Sequence, residues 1–571
     1  MTAATPALHR LPDERHDGGL PLPLTCIGWE VHWPDGPPAR LASYLSHLLR
    51  GRYGRGAPGD DPIEAAAASI AIELQTGGSI DAAEWFAALR LPSLRGFRYA
   101  TFDPFIGVQA GVAAFHILRG LALDETADLE TFRSGAARSI DEASKRLAPA
   151  RPHESPLKAV LAALSRGIPV TRLCRQLPAY RLGTGRRQQQ LWRGFTGATG
   201  YLATALSTHK EMTNDLLREQ GFPVARQQVV LDAQAAVRAA GEIGYPVVVK
   251  PTSTDYGTAV STRLQDAEAV TRAFELARKH GAVLVESHID GFDHRLTVIG
   301  GRCVGVVRRE APTVTGNGRD TVAHLAAELA RRRRADPIQR RFAAARVDEP
   351  LVAHLLREQG LSAQDVPAEG RIVRLRSNSN LSSGGLSADV THETHPDNLV
   401  LAERVASSVG LDHAGIDFIT PDIARPWHEA GGAICEVNAT PAFTTADAHQ
   451  RLLDHLFPDG GNGCVPLAVL EAGAADATRY FGAIEAIAAR EGRCGGFVRP
   501  GEARVGEHLV ARGEDSLDRL AAIVLADARV QFVLVAHEGG TLDLPYCDAV
   551  VGAGDAHVEQ QLCRALGLAH P

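Results

Sequence analysis

The central part of the chain alternates short apolar runs with segments of helical periodicity. Residues 245–249 form a β-branched apolar run long enough for one buried strand, and residues 283–289 form a second one, interrupted by Glu286. Residues 296–299 and 303–309 predict a hairpin, because two consecutive glycines separate them. Strands of this kind between amphipathic segments indicate a protein that mixes α and β structure.

Helical periodicity predicts helices over residues 65–74, 108–123, 155–167, 207–220 and 233–243. In the fourth of these helices, Thr208 and Glu211 have the spacing of a capping box. Lys210 would then lie in the first turn, where a cation is unfavourable against the helix dipole. A bound phosphate would relieve that conflict, and the structural alternative is a lysine that points to water.

Composition narrows the class of protein. The 571 residues suggest about three or four domains, and a hydrophobic content of 45% is ordinary for a globular protein. The net charge of −7 argues against nucleic acid as a partner. The 8 cysteines include no C-x-x-C pair, and the chain shows neither an apolar leader nor a run of about 18 apolar residues. We therefore expect a cytoplasmic protein with no membrane partner.

Lys250 follows the first predicted strand and precedes a loop, residues 252–258, that is rich in hydroxyl side chains and centred on Gly257. Backbone amides and hydroxyls of such a loop can surround phosphate oxygens, while the lysine supplies a point charge. The alternative is an ordinary strand that ends in a solvated lysine. A second polar loop, residues 374–385, offers many donors for a carboxylate or a phosphate.

Three oxygen side chains occur in two further predicted strands. Asp417 lies in one strand, and Glu436 and Asn438 lie two residues apart in the other, so that these two face the same side. Mg²⁺ prefers a few protein oxygens combined with nucleotide phosphates. Buried carboxylates without a cation would repel one another. The pattern therefore predicts a magnesium site.

Arginines are frequent next to these strands. Arg295, Arg308 and Arg309 come from the predicted hairpin and could converge on anions, although exposed strand arginines are the alternative. Residues 331–341 form a basic cluster, which is usually a solvated helix face and alternatively a groove for an acidic substrate.

Taken in order, these segments resemble an ATP-grasp ligase: a lysine, a strand lysine with its loop, a glutamate, an arginine hairpin, then Asp and Glu-x-Asn. Residues 374–398, 414–423 and 432–441 more closely resemble cyanophycin synthetase, and the similarity covers roughly residues 200–460. Residues 70–75 resemble part of the N-terminal domain of that family. The resemblance implies an ATP-grasp fold, ATP and Mg²⁺ as cofactors, and amide ligation through an acyl phosphate.

The resemblance also implies roles for individual residues. ATP would be bound by Lys210, Lys250, Thr252, Ser253, Gly257, Glu286, Ser287, His288 and Asp293. Catalytic roles would fall to Arg295 and Lys250, and the peptide substrate would be bound by Arg308, Ser382, Ser383 and Gly384. Mg²⁺ would be held by Asp417, Glu436 and Asn438. The phosphate loop departs from the family, because Tyr256 stands where a histidine is common.

The C-terminal part resembles the beginning of the Mur-like ligase domain that follows the ATP-grasp region in cyanophycin synthetase. Residues 464–470 would be the strand before a phosphate loop, but Asp476 stands in the position of the loop lysine. A carboxylate there would repel a triphosphate by about 4 kcal/mol per close charge pair at modest dielectric. Val535 and Glu538 stand where glutamate and arginine are usual. The resemblance implies a truncated, inactive module.

We therefore expect an α/β and α+β multidomain protein: an N-terminal α+β domain (1–185), an ATP-grasp ligase (186–460) and a degenerate Mur-ligase-like α/β module (461–571). A single ATP site implies one kind of bond, as in the second type of cyanophycin synthetase, which polymerises β-aspartyl-arginine dipeptides. The expected partners are this dipeptide, the growing cyanophycin chain and further copies in a homo-oligomer. Two alternatives remain open: an ATP-grasp ligase that makes a different amide bond, and a non-catalytic homologue that regulates or scaffolds a synthetase.

Overall fold

The structure of the protein is a computed structural model. It describes residues 7–10, 14–17, 20–32, 39–53, 61–77, 97–101, 104–123, 128–148, 154–173, 179–252, 259–335, 347, 349–376, 379, 385–441, 445, 447–458, 460–513, 516–539, 542, 544 and 546–569. These residues form two compact units, one from residues 1–193 with 456–571 and one from residues 194–455. The three-domain division expected from the sequence stays a prediction.

The first part of the first unit combines short sheets with five described helices. Strands β1 to β7 are Ala7–Arg10, Glu14–Asp17, Leu20–His32, Phe97–Thr101, Val170–Arg172, Ala179–Leu182 and Gln189–Trp192. Helices α1 to α5 are Ala39–Tyr53, Pro62–Thr76, Pro104–Leu123, Leu129–Leu147 and Glu154–Ser165. β3 pairs antiparallel with β1, β2 and β4, and β6 pairs antiparallel with β5 and β7. Helices α2, α3 and α5 confirm three of the predicted helices.

Local chemistry sets the ends of helix α2. The Asp61 carboxylate accepts a hydrogen bond from the Ile63 amide at 2.8 Å, and Gly77 ends the helix with φ of 68°. In helix α3, the stretch Ile106–Leu123 is long and apolar enough to cross a membrane by length and composition alone, with a mean hydropathy of 1.5. Half of that stretch is buried inside the protein, and core helices of soluble proteins meet the same criterion.

In its described residues, the second unit contains three sheets and the helices that cover them. Strands β8 to β19 are Phe195–Thr196, Gln227–Val230, Val247–Pro251, Ser261–Leu264, Val283–Ser287, Phe292–Ile299, Arg302–Glu310, Thr313–Thr315, Ile372–Arg374, Leu386–Asp389, His413–Thr420 and Ala433–Asn438. Helices α6 to α14 are Tyr201–Thr208, Lys210–Glu219, Ala233–Ile243, Ala267–Ala277, Val322–Ala335, Pro350–Glu358, Pro396–Val409, Trp427–Ala430 and Ala448–Leu456. The predicted hairpin is strands β13 and β14, paired antiparallel.

One sheet of the second unit has the strand order β11-β10-β12-β9 and is antiparallel throughout. Val247 and Val249 of β10 and Val285 of β12 pack in one buried cluster with α8 and α9. Because side chains alternate along a strand, Val248 and Lys250 project from the face opposite to Val247 and Val249. Strand β10 therefore delivers Lys250 to the face that the two helices leave uncovered.

The five-stranded sheet of the second unit has the order β17-β14-β13-β18-β19, again antiparallel. Leu296, Val306, Ile416 and Phe418 on one face share a core with Val405 of helix α12. The opposite face carries the intervening residues. A two-stranded sheet, β15 with β16, packs in a separate cluster with α10 and α11.

The last part of the first unit is an α/β layer structure. Strands β20 to β25 are Leu467–Glu471, Gly495–Arg499, Glu502–Val505, His508–Arg512, Phe532–His537 and Ala549–Gly552, and helices α15 to α17 are Ala474–Arg490, Leu517–Leu525 and Val558–Leu566. The strand order is β23-β22-β21-β24-β20-β25. The four strands β21, β24, β20 and β25 pair in parallel. Helices α15 and α17 share one core cluster with the sheet, and α16 shares another.

Candidate active site

Lys250 and Glu286 form an ion pair on the uncovered face of the first sheet. The Lys250 Nζ donates to Glu286 Oε1 at 2.7 Å, and the two side chains are 13% and 12% exposed. Burial acts to lower the pKa of Lys250, but the attraction of Glu286 outweighs it and the pKa is raised. The ammonium is therefore firmly charged at neutral pH.

Lys210 begins helix α7 and lies beside a carboxylate of the five-stranded sheet. Its Nζ is 3.5 Å from Glu436 Oε1. The expected helix over residues 207–220 is in fact two helices that meet at His209, whose backbone is extended. The Thr208 hydroxyl donates to the Ala205 carbonyl at 2.8 Å rather than capping the second helix, so the predicted capping box is wrong. The placement of Lys210 in a first turn is confirmed.

A single row of side chains crosses the five-stranded sheet. Strand pairing sets Asp389 opposite Val307, Val307 opposite Arg295, Arg295 opposite Asp417, and Asp417 opposite Glu436. Residues opposite each other in a sheet share a face. Arg295 uses two donors on Asp417: Nε contacts Oδ1, and Nη2 contacts Oδ2 at 3.2 Å. The predicted catalytic arginine and the predicted magnesium ligands therefore lie side by side.

Arg309 joins this row, whereas Arg308 does not. The Arg309 Nη2 donates to Asp293 Oδ1 at 2.6 Å and lies 2.9 Å from Asp417 Oδ2. Burial acts to raise the pKa of Asp417, but Arg295 and Arg309 outweigh it and hold the pKa below its usual range. Arg308 lies opposite His294, faces the helix-covered side, and forms an ion pair with Glu310, with its Nε 2.8 Å from Oε1. A substrate-binding role for Arg308 stays a prediction.

Cys435 lies between charged groups of the four-stranded and the five-stranded sheets of the second unit. A register irregularity between strands β18 and β19 inserts it beside Glu436. Burial raises the pKa of its thiol, and the charges of Glu286, Asp293 and Asp417 add to that effect. The charge of Glu436 likewise acts on the pKa of Lys250. The predicted ATP-binding and metal-binding groups thus share one electrostatic environment.

Asp417, Glu436 and Asn438 suit a magnesium ion in number and chemistry. Asn438 lies opposite Gly415, so its position is on the same face as Asp417 and Glu436. Across the residues that the structure describes, no group of three or more His, Cys, Asp or Glu is placed to hold a metal ion. Two carboxylates with one amide fit Mg²⁺ when phosphate oxygens supply further ligands.

Three of the remaining predicted ATP-binding residues, Thr252, Ser287 and His288, lie at the ends of strands β10 and β12. The Thr252 amide donates to the Ala282 carbonyl at 2.9 Å, and the Ser287 hydroxyl accepts from the Arg226 amide at 3.1 Å. His288 follows strand β12, with its Nε2 3.4 Å from Asp290 Oδ1. Outside the described residues lie Ser253, Gly257, Ser382, Ser383 and Gly384. The roles of all these residues stay predictions.

Two hydrogen bonds to Asp293 are not predicted by the sequence. Ser379, from the polar loop, donates its hydroxyl to Asp293 Oδ2 at 2.6 Å, and Arg309 bonds the other oxygen of that carboxylate. Alternation along strand β14 predicts that Arg308 and Arg309 face opposite sides, but the register with Asp293 is needed to show that Arg309 faces the row. A cavity of about 940 Å³ elsewhere, between α3 and α4, contains none of the predicted site residues.

In the C-terminal part, a carboxylate occupies the start of helix α15. Gly473 precedes the helix, Asp476 lies in its first turn, and Glu538 Oε1 accepts from the Ala474 amide at 3.2 Å. A helix N-terminus is the position at which phosphates bind in many proteins. Here the protein supplies its own anions at that position.

Comparisons with known proteins show what the chain is similar to. An ATP-grasp domain family matches residues 203–293. Cyanophycin synthetase of Geminocystis herdmanii is 32% identical over 415 residues, covering 68% of this chain and 47% of the relative. That of Synechocystis sp. is 31% identical over 480 residues, covering 79% and 53%. The GshAB glutathione biosynthesis protein of Mannheimia succiniciproducens is 31% identical over 277 residues, covering 47% and 35%.

A solved bifunctional glutathione synthetase from Pasteurella multocida has a TM-score of 0.42 and 24% identity, covering 62% of this chain and 51% of its own. The chain spans about half the length of the curated relatives that it matches, between 47% and 53% for the two synthetases above. The sequence similarity nevertheless extends well beyond the ATP-grasp segment. The chain is therefore a homologue of the cyanophycin synthetases and carries an ATP-grasp domain.

Proposed function

We propose that this chain is an ATP-dependent carboxylate–amine ligase that polymerises β-aspartyl-arginine dipeptides into cyanophycin. The observation that carries the proposal is the row Arg295–Asp417–Glu436 on one sheet, with Lys210 beside it and Lys250 in the same electrostatic environment. Cations next to oxygen ligands are what phosphoryl transfer requires. Homology to cyanophycin synthetases supplies the peptide substrate class.

ATP would be held by groups from the four-stranded and the five-stranded sheets of the second unit. Lys210 and Lys250 would contact its phosphates, and each is now paired with a carboxylate that the nucleotide would displace. Asp293 would bind the ribose, and the segment 286–288 would contact the base. Asp417, Glu436 and Asn438 would hold magnesium, which when bound neutralises charge on the phosphate oxygens.

The proposed reaction has two steps. A carboxylate oxygen of the growing chain attacks the γ-phosphorus of ATP, the bond to the bridging oxygen breaks, and ADP leaves an acyl phosphate behind. The α-amine of the dipeptide then attacks the carbonyl carbon, phosphate leaves, and the amine loses a proton to give the amide. Arg295, fixed by Asp417, would stabilise the negative charge that develops on the carbonyl oxygen.

One kind of bond per chain follows from one nucleotide site. The self-supplied carboxylates at the start of helix α15 support a C-terminal module without ATP. A ligase with one nucleotide site is suited to a preformed dipeptide, because aspartate and arginine added separately need two activations. The proposal also includes a cytoplasmic location and, as the resemblance implies, a homo-oligomer. Light scattering on the purified protein tests the oligomer.

The decisive experiment supplies the purified chain with ATP, Mg²⁺ and β-aspartyl-arginine, and follows polymer by mass spectrometry and ADP by a coupled assay. We expect polymer from the dipeptide and none from free aspartate plus arginine. The reverse result refutes the dipeptide substrate. ADP release with other acids and amines only would indicate a different amide ligase, and no binding of Mg-ATP by calorimetry would indicate a scaffold.

A further inference from the structure

Gly415 lies on strand β18, two residues before Asp417, and leaves a space that Arg295 fills. An added Cβ would come within 2.7 Å of Arg295 Nη1, 3.1 Å of Arg295 Cδ and 2.8 Å of Pro441 Cβ. The backbone of Gly415 is ordinary strand, outside the set of residues with positive φ. Glycine is therefore needed here for space and not for backbone conformation.

The Arg295 side chain lies across the space that Gly415 leaves. Its Nε and Nη2 both contact the Asp417 carboxylate, and both side chains are almost completely buried. The third donor group, Nη1, lies on the side of Gly415. Two donors thus fix the plane of the guanidinium, and the third is the one left to reach a reacting group.

We propose that Gly415 is a positioning residue for Arg295: its missing side chain lets the guanidinium lie flat across strand β18 and present Nη1 to the reacting carbonyl. The part of this inference that places Nη1 at the reacting carbonyl rests on the proposed ligase function. An alanine at 415 would push the far end of Arg295 aside, because that flexible end yields more easily than the backbone. Misplacement of a catalytic group by about 1 Å can cost a hundredfold in rate.

The activity test is a double-mutant cycle with Gly415→Ala and Arg295→Ala. Alone, Gly415→Ala should lower kcat at least about tenfold and leave the KM for ATP within about twofold. In the Arg295→Ala background, Gly415→Ala should change kcat less than about twofold, because its effect passes through the arginine. Equal losses in both backgrounds would overturn the proposal and assign the effect to Pro441. Gly241→Ala, on helix α8 with nothing near its added Cβ, is the matched control.

A second readout does not depend on activity. The crystal structure of Gly415→Ala should show Arg295 displaced from Asp417, and Gly415→Ala should lower the melting temperature less in the Arg295→Ala background than in the wild type. An undisturbed arginine, or the same loss of melting temperature in both backgrounds, overturns the positioning role. If the wild type releases no ADP with any substrate, the proposed function fails, while these structural outcomes still decide the role of Gly415.

Discussion

Lys250 forms an ion pair with Glu286 and, in the proposed function, would also bind the nucleotide. Both side chains are nearly buried and lie 2.7 Å apart, so each charge compensates the other. Removing one partner of a buried pair typically costs about 3–5 kcal/mol, because the other charge is left without compensation. A nucleotide phosphate is the other group that could stabilise the Lys250 ammonium. Variants that change Lys250 alone, or Lys250 together with Glu286, can therefore separate the effect on stability from the effect on nucleotide binding.

We expect Lys250→Met to weaken binding of a Mg-ATP analogue by about tenfold or more, because a charged hydrogen bond contributes about 1.5–3 kcal/mol. It should also lower the free energy of unfolding. Adding Glu286→Gln should restore much of the stability and none of the affinity. Calorimetry and urea unfolding measure the two effects, with exposed Lys279→Met as the control. Unchanged affinity in Lys250→Met would remove this lysine from the nucleotide site.

A buried histidine makes the stability of the second unit depend on pH. His413 is fully buried, and its Nδ1 lies 3.0 Å from the Gly194 carbonyl oxygen. Burial lowers its pKa to about 4, although Asp412, Arg295 and His455 also act on it. An unfolded histidine titrates near 6.5, so the unfolded state binds more protons between these values. The stabilisation is complete above pH 6.5 and is lost as the pH falls toward 4.

The expected loss is about 1.4 kcal/mol of unfolding free energy per pH unit over that window. His413→Asn should be less stable at pH 7 and should show a shallower dependence between pH 6.5 and 4.5. Urea unfolding at several pH values measures this, with exposed His324→Asn as the control. Identical slopes for the wild type and His413→Asn would contradict the assignment.

At the scale of elements, strand alternation decides which side chains meet. The sequence placed the hairpin correctly, but Arg308 and Arg309 are neighbours, and only the register with Asp293 shows that Arg309 faces the site. The break in the helix at His209 could not be predicted either, because Thr208 and Glu211 have the spacing of a capping box whatever conformation His209 adopts. Strand and helix identities were predictable from periodicity; side-chain partners across strands depend on tertiary pairing, which periodicity does not contain.

A buried amide ties helix α12 to the segment after strand β18. Asn398 donates to the carbonyls of Ile423 and Arg425, each at 2.9 Å, and accepts from the Trp427 amide at 2.8 Å. We expect Asn398→Ala to cost about 3 kcal/mol of stability, at about 1 kcal/mol for each hydrogen bond. Urea unfolding tests this, with exposed Ser407→Ala on the same helix expected within about 0.5 kcal/mol. Equal stability of the two variants would contradict the estimate.

At the scale of the whole molecule, the first and last parts of the chain share one compact unit. The Thr184 amide donates to the Gly463 carbonyl at 2.9 Å, and the Arg186 amide donates to the Val530 carbonyl at 2.7 Å. Arg187 Nη1 reaches the Cys464 carbonyl at 2.9 Å. These bonds attach the segment at 184–187 to the residues that precede strands β20 and β24 of the C-terminal layer. That layer is therefore a structural partner of the N-terminal part.

We expect one nucleotide per chain in a calorimetric titration with a Mg-ATP analogue. Asp476 and Glu538 place negative charge at the start of helix α15, where a triphosphate would have to bind. Lys250→Met should weaken the single binding event, and Glu538→Gln should leave the stoichiometry at one. Two sites in the wild type, or a binding event that Lys250→Met leaves unchanged, would contradict this prediction.

The row across the five-stranded sheet has a consequence for folding. Its charged residues alternate with Leu296, Ile416 and Phe418, which face the core on the other side. Sliding any strand by a single residue would turn the charges inward and the apolar groups into water. Because that exchange would cost free energy, burial of the apolar residues selects the one alignment of the strands. Packing this core therefore also brings Arg295, Asp417 and Glu436 together on the opposite face.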